Sequence, residues 1–198
     1  MERAHAAPGG VIVDAVWPAE GAGREAILVL AGATLIALSA QLRIVLPFSL
    51  VPITGQTFAI FLLAAAFGSR RGTATVMTYL AMGLSGLPVF SSAAPGLAAL
   101  ASPTAGYLMG FVPAAFLVGW LSERGASRSR WSTAGSMIAG SAVLFACGAV
   151  WLARFVGWDN VLATGVLPFL PGDALKIALA TLALPAAWKL IGARGPRP

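Results

Sequence analysis

The sequence predicts an all-α membrane protein with six transmembrane helices, both termini cytoplasmic, and long outward-facing loops over a ligand pocket. Three observations predict it. Of the 198 residues, 58% are hydrophobic and only 10% charged, against roughly 25% charged in a soluble domain, and the mean hydropathy is +0.84. The apolar residues gather into runs long enough to cross a bilayer, separated by Pro/Gly-rich or basic breaks. The basic residues fall unevenly on alternate breaks. The same composition excludes intrinsic disorder, and a lone cysteine, Cys147, excludes a disulfide scaffold.

In chain order, residues 1–25 hold four acidic residues, two basic ones and Pro8, Gly9, Gly10 and Pro18, which reads as a polar cytoplasmic tail. They lack the charged-then-apolar order of a secretory signal. The membrane domain is expected over 26–192. Its first run, Ala26 to Leu46, has 21 residues and one charge, Arg43, enough to span at about 1.5 Å per residue. A second run, 57–68, follows the Pro-interrupted stretch 47–56 and is short for a full span. A third covers 72–90, after the basic pair Arg70–Arg71, and a fourth covers 104–121. The break 122–132 carries Arg124, Arg128 and Arg130, a fifth run spans 133–151, and a sixth spans 173–191 before a basic cytoplasmic tail, 193–198.

Charge then orients the runs. With both termini and the breaks at 68–72 and 122–132 on one side, that side receives Arg3, Arg24, Arg70, Arg71, Arg124, Arg128, Arg130, Lys189, Arg194 and Arg197. The other receives Arg43, Arg154 and Lys176, so the 13 basic residues divide ten against three. Basic loops stay cytoplasmic, so both termini are expected inside. The basic excess serves orientation and does not mark a nucleic-acid partner, because it is scattered between apolar runs instead of forming one basic, aromatic-laced face. The outward connections 47–56, 91–103 and 157–172 are long and contain Pro and Gly. Such backbone at membrane depth needs protein or a cavity around it. They read either as caps over a ligand site or as ordinary solvent-exposed connectors.

Few polar side chains touch the apolar runs. Asp173 and Lys176 stand three apart at the start of the last run and share a helix face. Ionisable groups at this depth tend to mark substrate pathways, although Asp is also a preferred N-cap and Lys can snorkel to the interface. Thr54, Gln56 and Thr57 cluster in the first outward connection, with the amide of Gln56 offering donors and an acceptor. Either threonine also suits a helix cap. Thr104 and Tyr107 open the fourth run, three apart. On the first run, Ala33 and Ala37 leave a smooth stripe that fits internal packing or a docking face for another membrane subunit.

No G-x-x-x-x-G-K-[ST] loop occurs, so the chain is not expected to hydrolyse ATP itself. The only histidine, His5, lies in the tail and Cys147 lies mid-run. Neither a His/Cys metal site nor a Cys–His catalytic pair can be assembled from them, and no cofactor is expected.

Five segments occur in a telling order: Gln41-Leu-Arg-Ile-Val-Leu-Pro47 with Val51-Pro-Ile-Thr-Gly-Gln-Thr57, then Gly86-Leu-Pro-Val-Phe90, Ser102-Pro-Thr-Ala-Gly-Tyr-Leu108 and Leu170-Pro-Gly-Asp-Ala-Leu-Lys176. Together they resemble the BioY family, the biotin-binding S components of energy-coupling factor transporters, over about residues 30–190. The resemblance implies six helices in the bacterial inner membrane, with biotin bound near the outer face. It implies ligand contacts at Thr54, Gln56, Thr57, Tyr107, Asp173 and Lys176. Phe90 and Thr104 are expected to line the same site, Phe90 because biotin's apolar ring and chain suit an aromatic wall. It further implies that the Ala33/Ala37 stripe meets a transmembrane coupling subunit, with cytoplasmic ATP-binding subunits supplying energy. The competing expectations are an S component for another vitamin, or a membrane-embedded enzyme using Asp173 and Lys176.

Overall fold

A chain segment in lipid must satisfy its backbone N–H and C=O groups internally, and an apolar helix does so within one segment. The computed structural model describes residues 10–18, 20–91 and 96–193. The first nine residues of the expected N-terminal tail, with Arg3 and His5, and Arg194 and Arg197 of the expected C-terminal tail lie outside the described residues. In chain order the helices are α1 (Ile12–Val16), α2 (Ala22–Gln41), α3 (Gln56–Phe67), α4 (Ser69–Leu84), α5 (Ala105–Glu123), α6 (Arg130–Val156), α7 (Trp158–Gly165) and α8 (Leu170–Ala193). Each apolar run of the sequence carries one of the longer helices. Helices α2, α5 and α6 and the stretch Trp158–Gly192 are long and apolar enough to cross a membrane. Helix α3 is apolar but only 12 residues long.

Helix α5 is the centre of the bundle. It packs on α3, α4 and α6, while α2 lies against α4 and α8 against α6 and α3. Small residues on α5 allow these close approaches. A Cβ at Gly106 would meet Trp151, one at Gly110 would meet Cys147, and one at Gly119 would meet the backbone at Gly68. The core gathers Ile36, Ile60, Val76, Tyr79, Val118, Met137 and Leu152, all almost fully buried.

The turn from α3 to α4 is a single residue, Gly68, with φ of +86° and ψ of 178°, a region that essentially only glycine adopts. Glu123, at the end of α5, holds this corner. Its Oε1 accepts from the Ser69 N–H at 2.7 Å and from the Ser69 hydroxyl at 2.9 Å. The Ser122 hydroxyl donates to the Ala65 carbonyl at 2.6 Å beside it.

Several connections contain structure beyond the sequence expectations. The first run stops being helical at Gln41, and Arg43–Ile44 (β1) pairs antiparallel with Ile53–Thr54 (β2), in the register Arg43↔Thr54 and Ile44↔Ile53. Pro47 and Pro52 flank the turn between the strands, and proline disfavours helix in the residue before it. The connection 157–172 contains α7 and a 3-10 turn, and the connection 91–103 contains a 3-10 turn at Gly96–Ala101. Within the expected N-terminal tail, α1 tucks Val13 inward, and Asp14 joins Arg24, Glu25 and Arg71 in a four-membered ion-pair cluster.

On the stripe of α2, Ala33 is fully buried in the chain's own core and Ala37 packs partly buried against it, so within the chain these small side chains serve the packing of α2 on its own bundle. The exposed side of α2 is instead lined by Ile27, Leu30, Leu35 and Leu38.

Candidate ligand-binding cavity

The N-terminal ends of α3, α5 and α8 converge on the middle of α6, and the space between them is a cavity. All eight residues expected at the site line it: Thr54, Gln56, Thr57, Phe90, Thr104, Tyr107, Asp173 and Lys176. They are 122 residues apart at the extremes of the chain, yet the closest polar contacts bridge that separation. The Lys176 ammonium donates to the Thr54 carbonyl at 2.8 Å and to the Thr57 hydroxyl at 2.6 Å. An ammonium has three N–H donors, so one remains for a ligand.

Local geometry disposes of the capping alternatives. Helix α8 begins at Leu170, which places Asp173 inside its first turn and not at the N-cap. There the helix dipole favours its negative charge. The residue is 8% exposed, and among the described residues its carboxylate has no hydrogen-bond or ion-pair partner within the protein. It lines the cavity, where a carboxylate not bonded to the protein can accept from the N–H groups of a ligand. The N-cap positions of α3 and α5 are Gly55 and Thr104, and neither makes a side-chain cap bond. The Thr104 hydroxyl instead lies 2.8 Å from that of Ser102.

Gln56 is buried, its amide N–H donating to the Tyr79 hydroxyl at 2.6 Å. Tyr107 lines the cavity with its ring, because its hydroxyl is committed to the Gly165 carbonyl at 2.6 Å and so ties α5 to α7. That ring lies over Gly148, where a Cβ would overlap it. Much of the remaining lining is apolar: Phe90, Phe111, Leu144, Phe145 and Phe169, with Phe169 stacked obliquely on both Tyr107 and Phe145. The cavity therefore offers a carboxylate, an ammonium, an amide and hydroxyls together with aromatic rings.

Sequence reasoning missed the apolar wall beyond Phe90, together with Ser91 and the buried Tyr79. An aromatic inside an apolar run carries no local mark distinguishing cavity from core. Ser91 adjoins Phe90 in a polar loop, which was the one available signal.

Fold and site together define a multi-pass helical membrane protein with a small-molecule cavity sunk into one end of its bundle. The chain belongs to the BioY family, which it matches over residues 14–193. It is 37% identical to the biotin transporter BioY of Rhizobium etli over 158 residues, covering 76% of this chain and 84% of that one. It is also 37% identical to the biotin transporter BioY of Thermotoga maritima over 139 residues, covering 69% and 80%. Its fold is similar to a crystal structure of the S-component for biotin from an ECF-type ABC transporter, with a TM-score of 0.69 and 26% identity over 86% of this chain and 95% of that one.

Proposed function

We propose that this chain is the biotin-capturing membrane subunit of a vitamin uptake transporter. The observation that carries the reading is Asp173, without a partner among the described residues, beside Lys176 with one N–H donor free, in a cavity lined with aromatic rings and in a chain of the BioY family. Biotin has a ureido ring with two N–H donors and a carbonyl, fused to an apolar thioether ring with an apolar chain. The ureido N–H groups donate to Asp173, and its carbonyl accepts the remaining N–H of Lys176. Thr54, Gln56, Thr57 and Thr104 surround this head, while the thioether ring and chain lie against Phe90, Tyr107 and the other aromatics. As a member of a transporter family the chain is not an enzyme.

The proposed topology has six spans, α2 to α6 and α8, in the bacterial inner membrane, with residues 26–192 as the membrane domain. The tails 1–25 and 193–198 are cytoplasmic, following the ten-against-three division of basic residues, and the cavity opens outward. A transmembrane coupling subunit and cytoplasmic ATP-binding subunits drive release to the inside. Titration of biotin into the detergent-purified chain tests the reading. Saturable binding at or below micromolar biotin is expected, with desthiobiotin competing and thiamine and riboflavin not. Absence of binding at that concentration overturns the proposal, and displacement of biotin by thiamine or riboflavin transfers the chain to another vitamin.

A further inference from the structure

Behind the cavity wall stands Tyr79 of α4, fully buried and not itself lining the cavity. Its hydroxyl meets two groups: the Val89 carbonyl at 3.3 Å and the Gln56 side-chain amide at 2.6 Å. A carbonyl can only accept. The single phenolic proton is therefore drawn to Val89, which leaves the Tyr79 oxygen as an acceptor toward Gln56. That sets which way the Gln56 amide faces. Its NH2 turns to Tyr79, and its Oε1 turns to the side of Thr54, whose hydroxyl lies 3.4 Å away on the cavity wall. The same tyrosine ring meets Phe90 edge-on, with centroids 5.6 Å apart and planes at 81°.

We infer that Tyr79 is a positioning residue that sets the polarity of the site: by holding the NH2 of Gln56 it makes Gln56 present a hydrogen-bond acceptor to the cavity. The wall that Gln56 shares with Asp173 then selects ligand heads rich in N–H donors. Without the tyrosine hydroxyl the amide is free to flip and offer donors, and its buried NH2 loses its partner. The inference rests on the biotin-capture reading and extends it to a residue outside the cavity.

A double-mutant cycle on the full chain tests it, with biotin affinity as the readout and Tyr79→Phe, Gln56→Leu and the double variant compared with the unmodified chain. Tyr79→Phe is expected to weaken binding about tenfold, the usual scale for one lost buried hydrogen bond. In the Gln56→Leu background it is expected to weaken binding no further, because the amide it orients is gone. Equal weakening in both backgrounds means that Tyr79 acts through general packing and overturns the inference, as does unchanged affinity of Tyr79→Phe. Absence of biotin binding by the unmodified chain is a different result: it removes the functional reading and this inference with it. A ligand-free readout stands beside the cycle. The side-chain amide proton resonances of Gln56, assigned by their loss in Gln56→Leu, are expected to move in Tyr79→Phe, and unmoved resonances overturn the hydrogen bond.

Discussion

Lys176 occupies an unusual place for a membrane lysine: its ammonium is turned inward, to the Thr54 carbonyl and the Thr57 hydroxyl. It joins α8 to β2 and α3 as well as lining the cavity, so removing it is expected to cost both the proposed ligand contact and the hold on the β1–β2 connection. Lys176→Ala is expected to weaken biotin binding by more than about tenfold, the scale of a lost charge-assisted bond, measured by titration. Unchanged affinity in a normally folded variant removes Lys176 from the site. At this scale the sequence was informative because polar side chains are scarce in an apolar chain, and a scarce group beside a Pro/Gly break is conspicuous. Asp173, Lys176, Gln56 and the threonines were legible for that reason. Tyr79, Phe111, Phe145 and Phe169 were not, since nothing in a run of apolar residues says which of them borders empty space.

The elements that shape the cavity depend on close approaches between helices. A Cβ on Gly83 of α4 would fall on the Phe90 ring, and Phe90 lines the cavity. Gly83→Ala is expected to push that ring into the ligand space and lower biotin affinity, with helix content by circular dichroism unchanged. Equal affinity would show that the ring moves away from the cavity instead. At the α3–α4 corner, Glu123 does the work of an N-cap for α4 through Ser69. Glu123→Ala is expected to cost about 1 kcal/mol of stability, the usual worth of such a cap, read as a lowered unfolding midpoint in detergent. The longer helices were legible from run length, but the β1–β2 ribbon and α7 were not. Strands of two residues leave no alternation to read, and α7 lies in a segment marked chiefly by its Pro and Gly content.

Across the whole molecule, the N-terminal segment is fastened to the bundle by charge. Arg24, with its side chain only 5% exposed, pairs with Asp14 and Glu25, and Arg71 of α4 pairs with the same two acids. Partial burial pushes the Asp14 carboxyl up, but hydrogen bonds from Arg71 and Arg24 and their charges outweigh it and hold it below the ordinary 3.8. A depressed folded value means that the stabilisation is complete above the unfolded value, near pH 4, and is lost as the pH falls through the folded one. The unfolding midpoint is therefore expected to drop between about pH 5 and about pH 2, by less in Asp14→Asn. An equal drop in the variant would assign the acid sensitivity to other groups. The composition of residues 1–25 reads as a polar tail. Its fastening to the bundle was not legible there, because Arg71, 57 residues away from Asp14, supplies a partner that composition cannot display.

The sequence by itself determined the class of protein and the order of its long helices, because hydrophobic run length and the placement of basic residues answer directly to a bilayer. It also named the polar residues of the cavity. Only the tertiary structure decided which way those groups face. It paired Gln56 with Tyr79, left Asp173 without a donor among the described residues, committed the Tyr107 hydroxyl to Gly165, and turned Ala33 into the core. Each of these outcomes depends on what lies across a helix interface, often far away in the chain, and local composition carries no record of that neighbour.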